Sequence, residues 1–136
     1  MVTADPRGGP DTSGLGPAEL FTKGLAAFNA RDYYDAHEYW EDLWRDFQLP
    51  DRIFVQGLIQ LAVGCFHLTN DNLNGARGLF TKTLPKLEPY APRQRGLDVA
   101  AMVQFVRQAR EQVDAIASCG DFDWSHLPVL RVSGPA

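Results

Sequence analysis

Three titratable side chains in the middle of this chain have types and spacing suited to hydrolytic chemistry. In His37-Glu38-Tyr39-Trp40-Glu41 an imidazole and a carboxylate stand four residues apart, which places them on one face of a helix. His67 lies in an apolar run from Ile53 to Asn70, where Gln56 and Gln60 are the other large polar groups before the end. At about 100° per residue, Gln56, Gln60 and His67 fall within about 40° of one another, a polar seam on an apolar rod. His37, His67 and Glu41 together would suit a catalytic divalent ion, with Zn, Fe or Mn the candidates. Glu38 is then the general base or an outer partner, and Gln56 and Gln60 would steer water or substrate. The outline is that of the zincin helix, but Glu41 stands where the second His would be.

A plainer reading fits the same residues. A His and a Glu four apart make an ordinary helical pair, and an imidazole on an apolar helix is more often a satisfied core group than a ligand. The seam would then be a buried polar network fixing the register of two helices. Both readings require partners, because a buried amide left unpaired costs about 1 to 3 kcal/mol. His37 and Glu41, one helix upstream, are the groups expected to face the seam. Tyr33, Tyr34, Trp40 and Trp44 suit a core better than a substrate cage.

The elements that must position these groups are helices. Pro17 suits the first turn of a helix to about Asn29, with Leu20, Phe21, Leu25 and Phe28 as its apolar face. Asp32 caps a second to about Phe47, and Leu49-Pro50-Asp51 leads into the third. A turn at Asp71-Asn72 opens a fourth through Leu84, where Pro85 should bend or end it. Glu88 to Arg95 reads as a linker, and Leu97 to Ala117 as a fifth helix. Gly57 and Gly64 share a face and should let a neighbouring helix approach. Nothing alternates with period two over a useful length, so the class is all-α, a compact bundle of about five helices. Residues 1–16 read as a flexible Gly-rich leader, 17–118 as a single helical domain and 119–136 as a C-terminal tail in which His126 has no role.

The segments around Phe28 to Ala36 and Leu68 to Ala76 superpose at an offset of 40, continuing with Trp40 on Phe80 and Trp44 on Leu84. Each copy is a helix hairpin, so the bundle is two hairpins plus a C-terminal capping helix. The pattern resembles tetratricopeptide repeats, whose period is about 34, and makes an interaction module the alternative to an enzyme.

Bulk properties narrow the function classes. With 45 % hydrophobic and 22 % charged residues the chain has globular composition. A net charge of −4, with 13 Lys and Arg scattered along the chain, gives nucleic acid little to hold. The sequence contains no signal-peptide pattern and no membrane partner is expected, so a cytoplasmic protein is the expectation. Cys65 and Cys119 form no disulfide framework and should be thiols. An unidentified protein or small molecule, or a second copy of the chain, remains as the partner.

Phe28-Asn29, Tyr33 or Tyr34, Ala36-His37-Glu38, Glu41, Trp44, Gln56-Gly57-Leu58-Ile59-Gln60, His67 and Asn74-Gly75-Ala76 resemble the signature of the domain of unknown function 309 family. The resemblance runs from about Phe21 to Leu87. It implies a compact helical domain and the label of metal-dependent hydrolase that members often carry, with His37, Glu38, Glu41, Gln56, Gln60 and His67 on the pattern.

Overall fold

A computed structural model describes residues 9–133. Residues 1–8 of the expected leader and 134–136 of the expected tail lie outside the described residues. Five helices follow in order: α1 (Pro17–Asn29), α2 (Tyr33–Asp46), α3 (Arg52–Thr69), α4 (Leu73–Leu87) and α5 (Val99–Ala115). Each packs chiefly on its neighbour in sequence, so α1 and α2 form one hairpin, α3 and α4 a second, and α5 covers α4.

The two hairpin turns are built alike, at an offset of 40 residues. Arg31 and Asp71 both take left-handed backbone, with φ of 64° and 58°. The next residue sends its N–H back to a carbonyl five residues earlier, Asp32 to Ala27 at 2.8 Å and Asn72 to His67 at 2.9 Å. This is the Schellman closure of a helix C-terminus. The same residue caps the following helix, Asp32 accepting from Asp35 N–H and Asn72 from Gly75 N–H. Packing repeats too. A Cβ on Gly24 would overlap the Trp40 indole, and one on Gly64 would stand 2.7 Å from the Phe80 ring. In both hairpins, therefore, an aromatic side chain lies in the space where a glycine has no side chain. Gly57 plays the same part against Leu87.

α3 is the central rod. It is long and apolar enough, by length and composition, to cross a membrane, and 56 % of it is buried inside the fold as a core helix. Leu58, Leu61, Ala62, Cys65 and Leu68 are among its buried residues. Both cysteines are free thiols, and burial pushes each above the usual thiol range.

Several expected boundaries shift. α4 continues through Pro85 to Leu87. The missing N–H falls in the last turn, where few further bonds depend on it. The segment expected as a linker holds a 3₁₀ turn (Glu88–Tyr90) and a short antiparallel ladder, β1 (Arg93–Gln94) with β2 (Leu97–Asp98). Arg95 in its turn meets the Asp51 carboxylate at 2.6 and 2.9 Å, and Gln94 meets it at 3.0 Å. The ladder is thereby fastened to the start of α3.

Past α5 the chain returns across α1 and α2. Cys119, Phe122 and Leu130 are buried. The Asn29 side chain donates to Leu130 O at 3.0 Å and accepts from Leu130 N–H at 2.8 Å. Trp124 stacks on Tyr33 with ring centroids 5.9 Å apart. At the other end, Thr12 donates to Asp42 and Gly9 lies against Glu38 and Tyr34, so residues 9–16 run along α2.

Candidate functional site

A small cavity of about 140 Å³ opens between the first turns of α2 and the last turns of α3, lined by Tyr33, Tyr34, His37, Val63, Phe66 and His67. The antiparallel course of the two helices makes this meeting: His37 is one turn into α2, and His67 is in the last turn of α3. A void of this size holds a single benzene-sized guest.

The two imidazoles are held differently. His37 Nδ1–H donates to the Tyr34 carbonyl oxygen at 3.0 Å, which leaves Nε2 facing Glu41 Oε1 at 3.2 Å. A carbonyl oxygen can only accept, so the Nδ1 proton is fixed. Nε2 and the Glu41 carboxylate can then share one proton between them. Glu38 lies on the other side, 3.7 Å from Nδ1.

His67 takes its orientation from the turn that follows it. Asn72 uses Oδ1 to accept Gly75 N–H at 2.8 Å, so its amide nitrogen is the atom 3.3 Å from His67 Nδ1. An amide NH₂ only donates. His67 Nδ1 therefore accepts, and its ring proton sits on Nε2. Burial lowers the His67 pKa below the usual histidine range, which keeps this ring neutral at pH 7. Gly75 makes the arrangement possible, since a Cβ there would stand 2.6 Å from Asn72 Nδ2 and 2.8 Å from His67 Cδ2.

The structure thus brings His37, Glu41 and Glu38 together on α2 and sets His67 across the cavity from His37. It does not bring the amides in. Gln56 and Gln60 are half-buried on α3 and neither lines the cavity. The Gln60 carbonyl oxygen is buried without a partner, so the expectation of matching groups along the whole seam fails at this position. The Trp44 indole N–H on α2 is likewise buried and unpartnered, its ring instead covered by Arg52 at 4.1 Å. His126 is exposed, 4.0 Å from Asp123.

A divalent ion held by His37, Glu41 and His67 does not fit this donor set. Among the described residues no three His, Cys, Asp or Glu side chains converge on an ion-sized point. Asn72 also opposes ligation by His67, because an Nε2 ligand would need the ring proton on Nδ1, against the amide N–H. His37 and Glu41 alone have a ligand-like arrangement.

Sequence reasoning missed Val63, Phe66 and Asn72. Val63 and His67 are four apart on the seam's own face, which could have shown the first of these. Asn72 was visible as a helix cap, and its second role needed the turn geometry.

Among the described residues, five helices in two like-built hairpins with a capping helix, and a cavity between the hairpins lined by two histidines and aromatic side chains, define a small all-α protein of repeated-hairpin architecture. The family model described as Domain of unknown function (DUF309) matches residues 21–79, so over this segment the chain is similar to that family. It is similar to the uncharacterized protein YpuF of Bacillus subtilis (strain 168), at 31 % identity over 98 residues that make up 69 % of this chain and 56 % of that protein. The chain spans a little over half the length of this relative. The matched family segment includes His37, Glu38, Glu41, Gln56, Gln60, His67 and Asn72.

Proposed function

We propose that the chain is a hydrolase of small substrates that works through the α2/α3 cavity by acid–base catalysis. The observation that carries this reading is the pair of unlike imidazoles on opposite walls: His37 with its Nε2 beside Glu41, and a neutral His67 presenting Nε2–H. The His37–Glu41 pair would take a proton from water as its oxygen bonds to the carbonyl carbon of an ester or amide. His67 Nε2–H would donate to the oxygen on which charge develops. The proton held by the pair would return to the leaving group as its bond to carbon breaks. The metal dependence that the family label implies has no step here, since the donors present do not form a three-ligand set.

A chromogenic acetate ester is the probe. With full-length protein in the presence of a chelator, His37→Ala should lower the rate by about 10²-fold, the low end of what a positioned base supplies. An equal rate in the parent and in the His37→Ala/His67→Ala variant would remove the reading. A near-stoichiometric transition metal in protein purified without a His tag, with melting raised by Zn²⁺, Mn²⁺ or Fe²⁺, would restore a metal-dependent site.

The 40-residue repetition of turn and glycine contacts supports a second reading, a TPR-like hairpin module that binds a protein partner. In that case His37 is part of the fold's polar network, and His37→Ala should lower stability by about 1 to 3 kcal/mol. A His37→Ala protein as stable as its parent speaks against it.

A further inference from the structure

We propose that the α2/α3 cavity binds a small neutral aryl–oxygen group, as in a phenol or the aryl end of an ester, and that the Tyr33 hydroxyl selects it. The inference rests on reading that cavity as the functional centre. Tyr33 is the most deeply buried of the lining residues, 2 % exposed where the others are half-buried. Its hydroxyl is buried and has no hydrogen-bond partner. Buried hydroxyls are nearly always bonded, so an orphan on a cavity-lining side chain points to a polar atom that a guest supplies.

The Tyr33 ring is held where it stands and cannot swing to a partner elsewhere. Trp124 stacks on it with centroids 5.9 Å apart and planes 8° apart, and Phe28 meets it edge-on at 5.2 Å. Burial first, and then the neighbouring Cys65 thiol, push the Tyr33 phenol above its usual range. The group is therefore an uncharged hydroxyl that can both donate and accept.

The rest of the lining sets the charge and shape of the guest. Among the described residues no Lys, Arg, Asp or Glu lines the cavity, and burial keeps the His67 imidazole neutral. A charged guest would leave water for a site without a counter-charge, which is costly, whereas a neutral one would not. His37 has Nδ1–H committed to the Tyr34 carbonyl oxygen and Nε2 facing Glu41. For holding a guest this leaves the Tyr33 hydroxyl and the His67 Nε2–H, and an oxygen on the guest can accept from either. Val63, Tyr34 and Phe66 make the remaining wall, the last two with ring centroids 5.6 Å apart and planes tilted by 51°. An aromatic guest packs on such rings by edge or by face. The volume of about 140 Å³ admits one benzene-sized ring and excludes a fused one.

The test is a titration of isotopically labelled full-length protein, followed by amide NMR shifts, with phenol and separately with benzene, which has the same ring and lacks the oxygen. Saturable shifts at Tyr34, Phe66 and His67 are expected, with phenol bound about three- to tenfold more tightly than benzene, the worth of one hydrogen bond. Tyr33→Phe removes only a hydroxyl that has no partner to lose, so the fold should be kept and the preference for phenol should vanish. Val63→Phe, which fills the cavity from its half-buried rim, should weaken both probes together. Equal affinity for the two probes in the parent, a preference undiminished in Tyr33→Phe, binding unchanged in Val63→Phe, or no saturable shift at the cavity would each overturn the proposal. Because binding is read without turnover, selective phenol binding without His37-dependent ester hydrolysis would sink only the hydrolase reading. His37-dependent hydrolysis with no preference for phenol would sink only this one.

Discussion

The chemistry of the site turns on how each imidazole is held, and for His67 the decisive neighbour is Asn72. Its Oδ1 is committed to Gly75 N–H, so its amide nitrogen must face His67 Nδ1. Asn72→Asp keeps the helix cap and replaces that donor with an acceptor, so stability should change by less than about 0.5 kcal/mol while the His67 proton moves to Nδ1. Ring ¹⁵N shifts of His67 would report the move. Unchanged shifts would mean that Asn72 does not set the tautomer. Of the six residues singled out from the sequence, His37, Glu41 and Glu38 are grouped on α2 and His67 lies across from them, because helical spacing is a local property that the sequence displays. Gln56 and Gln60 were drawn in by the same spacing. Angular position on a helix states which way a side chain leaves its axis, and not what the next helix places opposite, so their distance from the cavity was hidden.

At the scale of elements, the hairpins depend on glycines that make room for aromatic rings. Gly24 lies under the Trp40 indole, whose N–H reaches Phe21 O at 3.3 Å. A methyl group at Gly24 has no space, and Trp40 is fully buried and cannot swing away. Gly24→Ala should therefore destabilise the protein by about 1 to 3 kcal/mol in spite of the better helix propensity of alanine. Gly78, in α4, has nothing within reach of a Cβ. Gly78→Ala should instead stabilise by about 0.5 to 1 kcal/mol. Denaturant melts of the two variants should move in opposite directions, and two shifts of the same sign would contradict the packing argument. The helix count, the hairpin order and the offset of 40 were legible because turn, cap and small-residue signals are local. The end of α4 was less so. Pro85 marks a stop in any isolated helix, and in the fold it stands where the helix is already finishing.

For the whole molecule, the segments that join and follow the helices are part of the body. The Asp51 carboxylate is 6 % exposed and paired with Arg95, whose guanidinium also covers the Phe21 ring at 4.8 Å. Hydrogen bonding from Arg95, against the opposing effect of burial, lowers the Asp51 pKa from its ordinary value of 3.8. A carboxylate whose pKa is lower in the folded protein contributes stability above its unfolded pKa and loses it as pH falls through the folded one. Arg95→Ala should cost about 3 kcal/mol at pH 7, since it leaves a buried charge unpaired. Between pH 5 and pH 2, thermal melting of the parent should fall more steeply than that of the variant. Parallel curves would show that Asp51 is not the linked group. By itself the sequence determined the all-α class, the five helices, their pairing in two hairpins and the His/Glu face of α2. These rest on period, capping and spacing within a few residues, which are fixed before the chain folds. Only the tertiary structure decided that His67 belongs to Asn72 and not to Glu41, that the Gln60 oxygen stays unpaired, and that Trp124 comes back to cover Tyr33. The Trp124–Tyr33 contact joins residues far apart along the chain, the His67–Asn72 contact depends on the exact backbone of the turn between them, and what stands opposite Gln60 follows from how whole helices pack, none of which a spacing pattern encodes.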